Sequence, residues 1–158
     1  MTFVVIIETK VITMENISES KTLVDILGGY KYIKKPIETN LDLIKISERG
    51  IKIEMLQSLL ANTSLTASEI ASYLHISLRS IQRIKDTFSV PISERILKIA
   101  KLYAKGYDVF GDRDNFNAWL ELPNIALGRK KPKEFLFHIF GIDLLLNELG
   151  RIEHGVLA

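Results

Sequence analysis

Apolar residues recur mostly at helical spacing along this chain, in short runs parted by Gly, Pro and polar turn residues. The clearest pattern is residues 66–85, TASEIASYLHISLRSIQRIK, which predicts two short amphipathic helices meeting at a turn. Ile70, Leu74, Ile76, Ile81 and Ile84 fall where such a hairpin needs apolar contacts, and Ala71 sits where a larger side chain would hold the helices apart. Thr66 with Glu69 has the form of a capping box, and Ser77 is placed to cap the second helix. His75 occupies the turn, where Gly is commonest, so the pattern asks a non-Gly residue to take a positive φ.

The flanking pattern is weaker. Residues 3–7 and 11–13 are β-prone, residues 15–20 are polar, and neither stretch has strong helical periodicity. Met14 is an alternative start to Met1. Leu23, Val24, Ile26 and Leu27 predict a short helix from Lys21 that stops at Gly28 and Gly29. Residues 30–44, with Pro36, read as a connector holding a strand or turn near Leu41. A helix over about 52–61 has Ile53, Leu56, Leu59 and Leu60 on its inner stripe. Beyond Pro91 the longest helix carries Ile96, Ile99, Ala100, Tyr103 and Tyr107, a stripe that suits either the core or a dimer seam, with the core the better choice. A short helix with Trp119 follows, then a loop around Gly128 with the basic run Arg129, Lys130 and Lys131, then a turn of helix from Pro132. Gly141 is read as an interruption, and a last helix from Ile142 carries Leu145, Leu149, Ile152 and Val156, with a loose end at Gly150 and Gly155. The fold class expected is all-α.

Composition narrows the setting. At 158 residues the chain is long enough to bury a core without staples, and with no Cys it has no disulfide framework, which fits a cytoplasmic location. The run 3–7 is too short to span a bilayer, so no membrane role is expected. Net charge is only +2, but Lys plus Arg against Asp plus Glu stands at 7 and 7 over residues 1–50, 8 and 4 over 51–105, and 6 and 8 over 106–158. The basic excess falls on the helix-turn-helix pattern, where an electrostatic footprint on DNA belongs. With 47% hydrophobic residues on mostly short helices, part of the apolar surface is expected to face a second subunit or a partner.

The outward positions of the second hairpin helix are Ser77, Arg79, Ser80, Gln82, Arg83 and Lys85. Arg grips guanine bidentately, Gln does the same for adenine, and Lys and Ser suit phosphates. A basic outer face is also what an ordinary solvated αα-hairpin carries, and DNA binding is the favoured of the two. Reading a palindromic operator needs a two-fold partner, so a homodimer is expected. Enzyme chemistry has little support: His75, His138 and His154 are scattered without metal spacing, adjacent Glu153 and His154 point apart on a helix, and Gly28-Gly29 is only a helix stop. No metal site and no cofactor are expected.

The segment FNAWLELPNIALGRKKPKEFL, residues 116–136, with NELGRIEHGVLA, residues 147–158, resembles the toxin-binding region of Xre/MbcA/ParS-type antitoxins. LGGYKYIKKP, LDLIKISERGI, the helix-turn-helix and AKLYAKGYDVFGD resemble the same family in its order. The resemblance implies a partner, a RES-domain toxin that degrades NAD and is made from an adjacent gene, with this chain as its inhibitor and as repressor of the shared operon. It implies that Trp119, Arg151, Ile152, Glu153, His154, Val156 and Ala158 meet the toxin. The resulting division is an amino-terminal arm and connector over 1–50, a DNA-binding and dimerisation region over 51–105, and a toxin-binding region over 106–158. A helix-turn-helix regulator with no toxin partner is the alternative.

Overall fold

A computed structural model of the chain describes residues 14–155, with side chains from Ile17 onward. The β-prone runs, the choice between Met1 and Met14 as the start, and Val156 and Ala158 lie outside the described residues or at their edge. Within them the fold is all-helical: α1 (Met14–Ile26), α2 (Asn40–Arg49), α3 (Ile53–Asn62), α4 (Ala67–Leu74), α5 (Leu78–Arg83), α6 (Val90–Phe110), α7 (Arg113–Glu121) and α8 (Ile139–Glu153). Two 3-10 turns, Ile125–Leu127 and Pro132–Phe135, link α7 to α8.

The 21-residue helix α6 is the axis of the molecule, with α1, α2, α7 and α8 all packed along it. Pro91 sits in its first turn, where a missing N–H costs nothing, and Gly111 closes it with φ 80°. Ile96, Ile99, Ala100, Tyr103 and Tyr107 are buried, so the stripe left open between core and dimer seam belongs to the core. Around its far end Tyr103, Tyr107 and Phe116 meet edge to face at 5.3–5.9 Å, each pair adding about 0.5–1.5 kcal/mol beyond its buried area. Gly106 lies directly under the Phe116 ring, where a Cβ would collide with it.

Three expectations are corrected. The first helix does not wait for Lys21 but starts at Met14: Ile17 and Ser18 are exposed, and the polar stretch is tied to α6 by Glu19, which meets Lys105 at 3.6 Å, a tertiary contact where periodicity is lacking. It ends as expected, the Gly29 N–H donating to the Val24 carbonyl at 2.8 Å. The supposed connector runs into a helix, α2, whose first turn takes the place of the strand or turn expected near Leu41 and whose cap is Thr39: its Oγ1 accepts from the Asp42 N–H and Asp42 accepts in return from Thr39 N–H at 2.9 Å. Gly141 does not interrupt the last helix. It lies inside α8, where the Phe135 carbonyl passes too close to admit a Cβ.

Some large apolar side chains remain outside. Leu41 and Ile44 on α2 and Phe140 and Leu144 on α8 are exposed, Phe140 by 88%.

Candidate DNA-binding and toxin-binding surfaces

The hairpin is built from local signals. Thr66 and Glu69 form the reciprocal cap of α4, Thr66 N–H donating to Glu69 Oε2 at 2.8 Å and Glu69 N–H to Thr66 Oγ1 at 3.1 Å. His75 ends α4 with φ 56° and ψ 36°, the left-handed turn expected there, and its N–H reaches the Ala71 and Ser72 carbonyls. Ser77 then caps α5, accepting from the Ser80 N–H at 3.0 Å. Ile70, Ala71 and Leu74 are buried, and half-buried Ile76, Ile81 and Ile84 pack against the same core.

The unit is closed from behind. The Phe88 N–H donates to the Ile51 carbonyl at 2.8 Å, bringing the segments before α3 and after α5 side by side. Fully buried Ser93 on α6 holds both: its Oγ accepts from Ile51 N–H at 2.9 Å and donates to the Phe88 carbonyl at 3.3 Å. With one bond accepted and one donated, the buried hydroxyl has its desolvation offset. With that support, α5 turns its other side to solvent. Ser77, Arg79, Ser80, Gln82, Arg83 and Lys85 are all exposed on it or just beyond its end, and Ser80 is additionally bonded to Ser77 at 2.9 Å. None of the three cations among them forms a salt bridge among the described residues. That surface can meet an anionic backbone without first breaking an ion pair.

At the other end, Asp112 caps α7 by accepting from the Asn115 N–H at 2.8 Å. Trp119 is half-buried, stacked on Phe116 at 5.8 Å and against Phe110 at 5.6 Å, so only part of its surface faces outward. The loop that follows is held by Asn124, which accepts from the Ala126 N–H at 2.8 Å and pairs with Lys130, while Gly128 and Arg129 both take positive φ. Lys131 in the basic run reaches Glu121 at 3.5 Å.

At the end of α8, contrary to the expectation that the two point apart, His154 Nε2 lies 4.0 Å from the Glu153 carboxylate. Arg151 and His154 are exposed, Ile152 is half-buried, and Arg151 reaches Glu148 at 3.4 Å on its own helix. Glu153 faces inward to Lys105, with 2.6 Å from the ammonium to each carboxylate oxygen. Burial works against the Lys105 charge, but Glu153 and Glu19 outweigh it and hold its pKa above the ordinary lysine value. The contact joins residues 48 apart in sequence, and no local pattern announces it. No helix among the described residues is long and apolar enough to cross a membrane, and no group of three or more His, Cys, Asp or Glu among them is placed to hold a metal.

Comparison with known proteins finds a domain match in each half of the described chain. Residues 42–101 match the family model of the antitoxin Xre-like helix-turn-helix domain, and residues 105–155 that of the antitoxin Xre/MbcA/ParS C-terminal toxin-binding domain. An antitoxin Xre of Yersinia enterocolitica is 26% identical over 133 residues, 82% of this chain and 90% of that protein. An antitoxin Xre of Photorhabdus laumondii is also 26% identical, over 127 residues, 78% of this chain and 86% of its own length. Such proteins inhibit and regulate, and are not enzymes. With a helix-turn-helix followed by a toxin-binding domain, both on one all-helical frame, the chain belongs to the family of Xre-type antitoxins.

Proposed function

We propose that this chain neutralises an NAD-degrading RES-domain toxin encoded beside it, by covering the toxin's active site, and that as a cytoplasmic homodimer it represses its own operon. The observation that carries the toxin half is the end of α8. Anchored on α6 by Glu153, it turns Arg151 and His154 outward and leads into the last residues, including Val156 and Ala158. An exposed guanidinium at that point suits a carboxylate at an active-site mouth. Residues 106–158 are the toxin-binding part, with Trp119 and Ile152 supplying apolar contact at the rim of the same region.

Operator binding falls to Ser77, Arg79, Ser80, Gln82, Arg83 and Lys85, within the part spanning 51–105. The six-residue α5 is too short to read a long site alone, which favours two copies on a palindrome. Because the α6 stripe is spent on the core, the second copy meets another surface.

The test is co-expression with the RES-domain protein followed by removal of residues 154–158, a cut that leaves Glu153 in place. The shortened chain is expected to lose neutralisation while keeping its fold and operator affinity. Full neutralisation by the shortened chain would overturn the active-site cover.

A further inference from the structure

The contact between Lys105 and Glu153 lies at a telling place. The matched toxin-binding domain begins at residue 105 and its last helix ends at Glu153, so this one ion pair ties the start of the domain to its end. Glu19, from the amino-terminal helix outside both family matches, stands 3.6 Å from the same ammonium. The three side chains are shielded, with exposures of 16% for Lys105, 17% for Glu153 and 21% for Glu19. Surface pairs are usually loose and screened by salt. This one is contacted through both carboxylate oxygens and flanked by a second acid, a geometry that holds an ammonium in one place.

A helix end is prone to fray, and this one carries Gly150 in its last turn and Gly155 just beyond. Every residue that becomes ordered only on binding subtracts its lost freedom from the affinity. Arg151 and His154 therefore gain as ligands when the turn that carries them is fixed beforehand.

We propose that Lys105 is a positioning residue for toxin binding: by gripping Glu153, with Glu19 completing the grip, it presets the last turn of α8 so that Arg151 and His154 meet the toxin in one arrangement. This rests on the toxin reading above and deepens it. Glu153 then acts inside its own subunit, and α1 becomes part of the toxin-binding machinery.

The probe is the RES-domain protein encoded beside this chain, mixed with full-length variants. Lys105→Met keeps the aliphatic stem and removes the charge, Lys105→Arg restores it, and Glu153→Gln removes it from the other side. Lys105→Met is expected to raise the toxin dissociation constant about tenfold, to speed amide exchange at residues 151–155 of the free chain, and to leave operator affinity unchanged. Lys105→Arg is expected to recover both properties, and Lys105→Met combined with Glu153→Gln to be no worse than either alone. Unchanged toxin affinity in Lys105→Met overturns the role. Weakened affinity without faster exchange also overturns it, because Lys105 would then be touching the toxin itself. Failure of the unsubstituted chain to bind the RES-domain protein is a separate result, reached before any substitution, and removes the toxin reading together with this role.

Discussion

The Glu69 carboxylate lies 3.2 Å from the Lys133 ammonium, so the capping residue of α4 in the helix-turn-helix is tied to the 3-10 turn of the toxin-binding domain. Lys133 also reaches Glu121 at 2.8 Å, which places one cation between the two functional halves. Glu69 thus has two duties, closing a helix and joining domains. Burial pushes its pKa up, but the Thr66 N–H and Lys133 more than offset this and hold it below the ordinary 4.5.

A carboxyl whose pKa falls on folding lends stability that is fully present above its unfolded pKa and lost as pH drops through the folded value. Glu69→Ala is therefore expected to destabilise the chain at pH 7 by about 1 kcal/mol, mostly through the missing cap. The difference from the unsubstituted chain should vanish in strong acid. Urea unfolding at pH 7 and in steps below pH 4.5 checks this; an equal loss at every pH would show that the charge contributes nothing.

Ser93→Ala leaves the Ile51 N–H buried without its partner. A cost of about 1–3 kcal/mol is expected, the penalty for stranding a buried donor. Amide exchange at Ile51 and Phe88 should rise with it, because the clasp behind the hairpin opens. A urea midpoint unchanged by the substitution would mean that water takes over the hydroxyl's place.

His75→Gly removes a Cβ from a left-handed turn at φ 56°. The strain relieved is about 1–2 kcal/mol, and the extra freedom of Gly in the unfolded chain takes back part of it. A modest rise in melting temperature is expected, against a fall for His75→Val, where a β-branched side chain meets the same backbone. Calorimetry of the two variants side by side decides the sign.

Replacing Arg79 and Arg83 together with Ala is expected to weaken operator binding and flatten its dependence on salt. For every phosphate that the variant no longer neutralises, the slope of log affinity against log salt falls by about 0.9. Both residues are exposed at the surface, so the fold should be untouched. A salt titration with the same slope as the unsubstituted chain would move the DNA-binding face elsewhere.

Short-range grammar is readable in the sequence, and long-range support is not. Thr66 with Glu69 announces α4, and Ser77 announces α5, because a cap and its helix lie within a few residues of each other. Thr39 with Asp42 is the same signal, yet α2 escapes a reading by periodicity because Pro36 and alternating charges hide the pattern behind it. The start of α1 is polar, and its tie to α6 runs through Glu19 and Lys105, a contact no local pattern contains. Gly141 resembles a break because Gly disfavours helices, while in the fold it makes room for the Phe135 carbonyl. For the candidate surfaces, the outward set on α5 follows from helical spacing. The inward turn of Glu153 depends on Lys105, 48 residues earlier, and only the folded chain brings them together.

One match ends at residue 101 and the next begins at 105, both inside the single helix α6, which runs from Val90 to Phe110. There is no hinge at the seam. A chimera that borrows the rear portion of a relative must therefore splice mid-helix and preserve rotational phase, since one inserted residue turns everything downstream by about 100° around the axis.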